Sequence, residues 1–430
     1  MTRPAAVAPE VRNAARKALG AYYTPAALVE AALSALPAPR GVVADLACGD
    51  GAWLAAAARR WPGTPLYGAD IDPVAVAAAR ARLGGAAVIE VADGTRARGP
   101  FDCIIGNPPW GAGRIGAVRR GQESVSRFIE AALALLPAGG RLCLLVPAAW
   151  LEVAAHVDAR RNLLQGAALE RVQHLGHVFA GVHAPAALIV ARRELDADVR
   201  VGQMTVTPHG TVAQATFLRD DQLVINARLS AREHTLARKL ESATERLRGR
   251  VRFILGVVTG DNRHALGEEG EPIVGGTDVT AMRIAPPNRR LSVPLERVQQ
   301  AAPRTAYDRD KVVYRFVHAH PLAAVDRLGQ LTLNSANAFA LEDDALELDF
   351  LAAWLNSSCV RWLHRARHAM PRVLRSHLET LPIPSLSPQL RRAVADAALC
   401  GDELRRDDLI MDAFALDDEE RARVSECPRF

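Results

Sequence analysis

A doubly wound α/β sheet followed by a mixed α+β domain is the fold this 430-residue sequence predicts, and three observations carry that expectation. From Gly41 to about Arg193, short apolar runs alternate with Ala- and Arg-rich amphipathic stretches, the pattern of strands joined by crossover helices. After Asp196 the regularity fades. Beyond Arg250, runs such as "VRFILGVVTG", "KVVYRFV" and "LTLNSANAFAL" lie between Pro- and Gly-rich turns, as in a β-rich domain.

In chain order, the first strands are "GVVADLAC", "PLYGADID", "AAVIEVAD" and "FDCIIGN", followed by "GRLCLLVP". "LERVQHLG" and "AALIVARR" follow close together, which suits a terminal hairpin and hence an antiparallel strand at the end of the sheet. Residues 199–230 are expected to connect the domains, and "LSAREHTLARKLESATERL" to form a helix. The expected boundaries are 1–230, 231–400 and a helical tail, 401–430.

Composition narrows the functional classes. No run is long and apolar enough to span a bilayer, and the N-terminus lacks the apolar segment of a signal peptide. The six cysteines (48, 103, 143, 359, 400 and 427) have neither metal-site nor disulfide spacing, so a reducing cytoplasm is expected and no metal is called for. A formal charge of +5 permits a polyanionic partner.

"DLACGDGAWL" follows a strand and opens a helix. Gly49 and Gly51 allow positive φ and close backbone approach beside free helix N–H groups, as in nucleotide-binding loops. Asp70 ends the next strand, where a carboxylate can accept both hydroxyls of a ribose, and Asp93 ends the third, where it can accept from an exocyclic amine. Acidic residues at strand ends also cap helices, and glycine turns also serve packing; three polar strand ends in succession favour a ligand. In "FDCIIGNPPWGAGR", Pro108 and Pro109 fix two φ angles and remove two N–H donors, leaving Asn107, a rigid carbonyl and Trp110 on a stiff loop. The alternative there is a turn with a tryptophan packed into core. Thr24–Pro25 suits helix initiation. Cys48 has no activating neighbour in sequence, which suits a small loop residue and not a nucleophile.

In order, "YYTP", "DLACGDG", "ADID", "VADG" and "NPPW" resemble the motifs of the gamma class of N6-adenine DNA methyltransferases, S-adenosylmethionine-dependent enzymes of type II restriction-modification systems. The resemblance implies a Rossmann-like class I methyltransferase sheet and a C-terminal target recognition domain, since "ILGVVTGDN", "LNSSCVRWL" and "LETLPIPSLS" are similar to phrases of such domains. It places the cofactor among Tyr23, Thr24, Pro25, Asp45, Ala47, Cys48, Gly49, Gly51, Asp70, Ile71, Asp93, Gly94, Asn107 and Pro109. Catalysis falls to Asn107, Pro108, Pro109 and Trp110, and the target base to Trp110 and Phe179, in "LGHVFAGVHAPAALIVARRE". Family members more often carry Tyr or Phe where this chain has Trp110.

The chemistry fits those residue types. An adenine amino nitrogen is a poor nucleophile because its lone pair is delocalised. Two acceptors, the Asn107 side-chain oxygen and the Pro108 carbonyl, would draw it towards a tetrahedral shape, so positioning and electrostatics matter more than a titrating base. A base in a duplex must be flipped out to reach them. For the partner, double-stranded DNA, "RWLHRARHAMPRVLRSH" has five arginines, three histidines and no acid. Arg361, Arg365, Arg367, Arg372 and Arg375 are the expected DNA contacts, against the alternative of a solvated face. A monomer is expected, and a separately encoded restriction endonuclease is a candidate second partner. The rival readings are an amino-methyltransferase acting on RNA or a protein glutamine, and a DNA-binding relative without activity.

Overall fold

The computed structural model describes residues 24–110, 124–179, 184–219, 222–243, 245–342, 345–368 and 371–428. The chain divides into two compact units, Met1–Arg232 and Glu233–Phe430.

The first unit is built on a nine-stranded sheet of order β3-β2-β1-β4-β5-β7-β6-β8-β9. Its strands are β1 (Val43–Asp45), β2 (Leu66–Asp70), β3 (Ala87–Val91), β4 (Cys103–Gly106), β5 (Arg141–Pro147), β6 (Ala167–Gly176), β7 (Ala186–Arg193), β8 (Met204–Thr207) and β9 (Gly210–Ala213). The first five run parallel, with Val43 opposite both Leu66 of β2 and Cys103 of β4. Strand direction of travel therefore reverses at the β1/β4 junction, where open α/β sheets bind ligands outside their carboxyl ends. The residues explain the buried strands: β4 and the middle of β5 are continuous apolar runs, as a sheet covered on both faces requires.

Helices α1 (Ala26–Ser34), α2 (Ala52–Arg60), α3 (Pro73–Leu83), α4 (Ser124–Leu135) and α5 (Val157–Gly166) flank the sheet. Asp72 caps α3 by accepting the Val74 N–H, with Pro73 in the first turn. The core joins Val29 and Leu33 of α1, Trp53 and Leu54 of α2, Ile104 and Ile105 of β4, and Ile129 of α4. The expected hairpin is present, since β6 and β7 pair antiparallel. The antiparallel strand β7 is internal, however, lying between β5 and β6. Residues 199–230 also differ from the expectation of a plain connection. Thr205 and Val212 alternate inward along β8 and β9, and the Thr205 hydroxyl donates to the Leu169 carbonyl, which docks this hairpin on β6. Such short strands carry too few alternating positions to stand out in sequence. Arg160, fully buried, donates to the carbonyls of Trp150, Val153, Gln222 and Leu223 and holds the following segment in place.

The second unit is mixed α+β. Strands Val251–Ile254, Ala336–Leu341, Lys311–Arg315 and Ala323–Asp326 form an antiparallel sheet in that order, beside a second four-stranded sheet of shorter segments. Helices Leu348–Leu355 and Ser358–Arg367 are mostly buried, and helices from Pro388 onward pack on them. Within the main sheet, buried Lys311 donates to Asp326 and to the Tyr307 carbonyl, both at 2.5 Å. Asp326 also accepts the amides of Leu328 and Gln330, so the pair is fully satisfied. No helix among the described residues is long and apolar enough to cross a membrane.

Candidate active site at the carboxyl edge of the first sheet

The glycine turn after β1 is held from the neighbouring strand. Gly49 and Gly51 adopt φ of 52° and 79°, which glycine tolerates best, and Gly51 stands at the N-cap of α2. The Asp70 carboxylate at the end of β2 accepts the Gly49 N–H at 2.8 Å and the Asp72 N–H at 2.9 Å. Burial raises its pKa, while these backbone donors lower it. Asp70 thus sets the turn and the start of α3 together, and each of its oxygens keeps lone-pair capacity for a hydroxyl. Beside it Ile71 is an exposed apolar side chain (39%), a surface on which a planar ring can rest.

Asp93 at the end of β3 uses Oδ1 to accept the Thr95 N–H and hydroxyl, so it caps the turn that follows. Gly94 has a packing reason, because a Cβ there would collide with the Leu46 carbonyl.

Asp45 is the least conventional group. It is 2% exposed; Oδ1 accepts the Ala47 N–H at 3.1 Å, while Oδ2 has no hydrogen-bond partner. Burial, opposed in part by the Ala47 amide and reinforced by Asp70, pushes its pKa up to about 8. Asp45 lies against Gly106, the last residue of β4: a Cβ at Gly106 would stand 2.6 Å from Asp45 Oδ1, and Gly106 has φ of 145°. Asp45, Ala47, Gly106, Pro108, Phe128 and Ala132 share a small cavity. The junction of β1 and β4 therefore brings Asp45 and Ala47, at the start of the glycine loop, beside Gly106 and Pro108. The requirement for Gly106 was missed, although a glycine ending an apolar strand just before the Pro pair was its signal.

Cys48 is buried, and burial with Asp45 and Asp70 drives its thiol pKa far up, which keeps it protonated and inert. Pro108 is buried and Pro109 half-buried. Trp110 and Phe179 are both buried and meet edge to face, centroids 5.1 Å apart at 88°. They touch, and they do not form two parallel faces around a gap. Edge-to-face contact is one of the two favoured packings of an aromatic pair.

Tyr23 lies outside the described residues. Thr24 does not cap α1: Pro25 is the N-cap, its carbonyl accepting from Leu28 and Val29, and the buried Thr24 hydroxyl instead accepts the Trp53 indole N–H at 3.1 Å. That bond ties the start of α1 to α2, behind the glycine turn.

The basic stretch of the second unit is divided in its placement. Arg361 is buried (6% exposed) near Cys427, and Arg367 donates to Glu241 at 2.7 Å. Arg365 lies 3.5 Å from the Pro428 carbonyl. Arg375 is exposed, pairs with Glu379 at 2.7 Å and covers the Phe253 ring, and Arg372 is exposed. Helix Ser358–Arg367 is a core helix, so the five arginines do not share one outward face; Arg367 is neutralised from 126 residues away by Glu241, and Arg375 locally by Glu379.

Comparison with known proteins agrees with this division. The methyltransferase small domain matches residues 27–157, and the TaqI-like C-terminal specificity domain matches residues 271–383. The type II methyltransferase M.VspI of Vibrio sp. (strain 343) is 27% identical over 293 residues, spanning 61% of this chain and 71% of that protein. The type II methyltransferase M.TthHB8I of Thermus thermophilus is 30% identical over 205 residues, 42% of this chain and 46% of its own length. Ribosomal RNA small subunit methyltransferase C of Shewanella loihica is 35% identical over 115 residues, 26% of this chain and 32% of its own. The chain is thus similar to type II methyltransferases, its first unit matching a methyltransferase small domain and its second a TaqI-like C-terminal specificity domain.

Proposed function

We propose that the protein methylates the N6 amino group of a flipped-out adenine within a specific DNA sequence, using S-adenosylmethionine. The observation that carries this reading is the junction of β1 and β4, where Asn107 and Pro108 leave the sheet beside Asp45 and the glycine turn. The residues fit the cofactor. Asp70 has spare acceptor capacity for ribose hydroxyls, Ile71 offers an apolar surface for a ring, Asp93 Oδ2, with Arg96 at 3.7 Å, can still accept from an exocyclic amine, and the unpartnered Asp45 oxygen suits a cationic group. When bound, S-adenosylmethionine supplies an electrophilic methyl group. The protein's part is then positional: the Asn107 amide oxygen and the Pro108 carbonyl each accept one amino hydrogen and hold the nitrogen lone pair in line. Trp110 and Phe179 offer the base an apolar wall, and stacking there helps offset the few kcal/mol of unpairing.

The segment shared with the ribosomal RNA enzyme raises RNA as a second substrate class. The TaqI-like specificity domain at 271–383 favours DNA.

Asn107→Ala tests the mechanism. Its kcat should fall by at least about 100-fold, the scale of losing one preorganised transition-state contact, while S-adenosylmethionine and DNA still bind with near-normal Kd. Retained turnover would remove Asn107 from the chemistry.

A further inference from the structure

Three imidazoles converge in the second unit where helix Ser358–Arg367 gives way to helix Arg375–Thr380. His364 occupies the last turn of the first helix, His368 is its C-cap one turn later, and His377 stands in the first turn of the second. One ring nitrogen from each lies within 4.8 Å of the other two. His364 Nε2 and His377 Nδ1 are 3.3 Å apart; the His368 and His377 rings stack at 3.5 Å and 6°, so His368 must turn out of that stack to share an ion with His377.

Tautomer chemistry gives this arrangement a direction. His364 Nδ1 is 3.1 Å from the Ala319 carbonyl, which can only accept, so the proton of a neutral ring sits on Nδ1 and the Nε2 lone pair points at the cluster. A backbone carbonyl behind an imidazole is the usual device for fixing a metal ligand. The Leu374 amide lies 3.4 Å from His377 Nδ1, too far to hold that lone pair firmly. Two nitrogens bound tetrahedrally to one zinc ion at about 2.0–2.1 Å stand about 3.3–3.4 Å apart, the separation of His364 Nε2 and His377 Nδ1.

We propose that His364, His368 and His377 bind one divalent transition-metal ion, Zn²⁺ by preference, as a clip between the two helices. Three imidazoles suit Zn²⁺, Cu²⁺ or Ni²⁺ and not the oxygen-seeking Mg²⁺ or Ca²⁺. Sequence reasoning overlooked the set because it searched for cysteine spacings, whereas the ligands here follow a His-x3-His-x8-His pattern. Burial, and then repulsion from neighbouring charges including Arg367, disfavours a positive charge on the His364 and His377 rings. The same guanidinium opposes a dication, so donor atoms and not the local field must supply the affinity. The clip lies in the stretch matched by the specificity domain and is independent of the reaction proposed above.

The test uses the full chain, stripped with a chelator, dialysed, and titrated with CoCl2 and then ZnCl2. One Co²⁺ per chain should bind with the intense visible bands of a tetrahedral site, Zn²⁺ should displace it, and Zn²⁺ should raise the Tm. His377→Gln and, separately, His368→Gln should each weaken Zn²⁺ binding more than tenfold. Absence of tetrahedral bands in the wild-type protein, or binding unchanged in both variants, would overturn the assignment; the wild-type spectrum decides even if a variant fails to fold.

Discussion

The carboxyl edge of the first sheet and the second unit are both dense in charge, and they use it in opposite ways. At the sheet edge Asp45 keeps one oxygen unpartnered although buried, and Asp70 spends its bonds on backbone amides with capacity left over. In the second unit Lys311 is closed off by Asp326, and Arg367 by Glu241. Unspent polar groups at the end of a strand indicate a ligand; spent ones indicate architecture.

The comparison is broken most forcefully in the second unit. Lys311→Met should destabilise the protein by about 3–5 kcal/mol in denaturant unfolding, because Asp326 is left buried and charged without its partner. Adding Asp326→Leu should recover much of that loss, since an apolar pair removes both charges. If Lys311→Met costs nothing, the pair is not structural in the sense argued here.

Asp45 should behave in the opposite manner. Its folded pKa, about 8, lies above the unfolded value of 3.8, so its favourable contribution is complete below about pH 4 and is lost as pH rises towards 8. Asp45→Asn should therefore stabilise the cofactor-free protein by about 2–4 kcal/mol above pH 8, with the gain shrinking to nothing near pH 4. It should weaken S-adenosylmethionine binding at the same time, measured by calorimetry. A variant less stable than wild type at pH 8.5 would mean that the buried carboxylate is compensated after all.

Asp70→Ala should reduce cofactor affinity by about 10- to 100-fold with the fold retained, from the loss of charge-assisted hydrogen bonds. The smallest effect separates two arginines of one stretch. Arg372→Ala should flatten the log–log salt dependence of DNA binding by about one unit, whereas Arg367→Ala, paired with Glu241, should leave that slope unchanged and lower only stability. Equal slopes in both variants would erase the distinction between spent and unspent charge.

What could be seen in the sequence follows the same line. Asp45 entered only through the family resemblance, whereas the turn at Gly49 and Gly51 and the strand end at Asp70 were legible because periodicity stops there and residue type shows directly. The β8–β9 hairpin was not, because strands of four residues have too little alternation, and their docking depends on one hydroxyl, Thr205, meeting the Leu169 carbonyl. Nor was the division of the basic stretch: the acid that neutralises Arg367 is 126 residues away, beyond the reach of any local charge pattern. The capping alternative for Thr24 fails for the same reason, since its partner Trp53 lies 29 residues on.

The central claim is methyl transfer to adenine in DNA, with Asn107 at its centre. Its most direct test is to incubate unmodified double-stranded DNA with the purified protein and S-adenosylmethionine, digest the product and identify the methylated nucleoside by mass spectrometry. The account predicts N6-methyladenine with the wild-type protein and none with Asn107→Ala. N4-methylcytosine in its place, or methyl groups found only when RNA or protein is supplied, would contradict it.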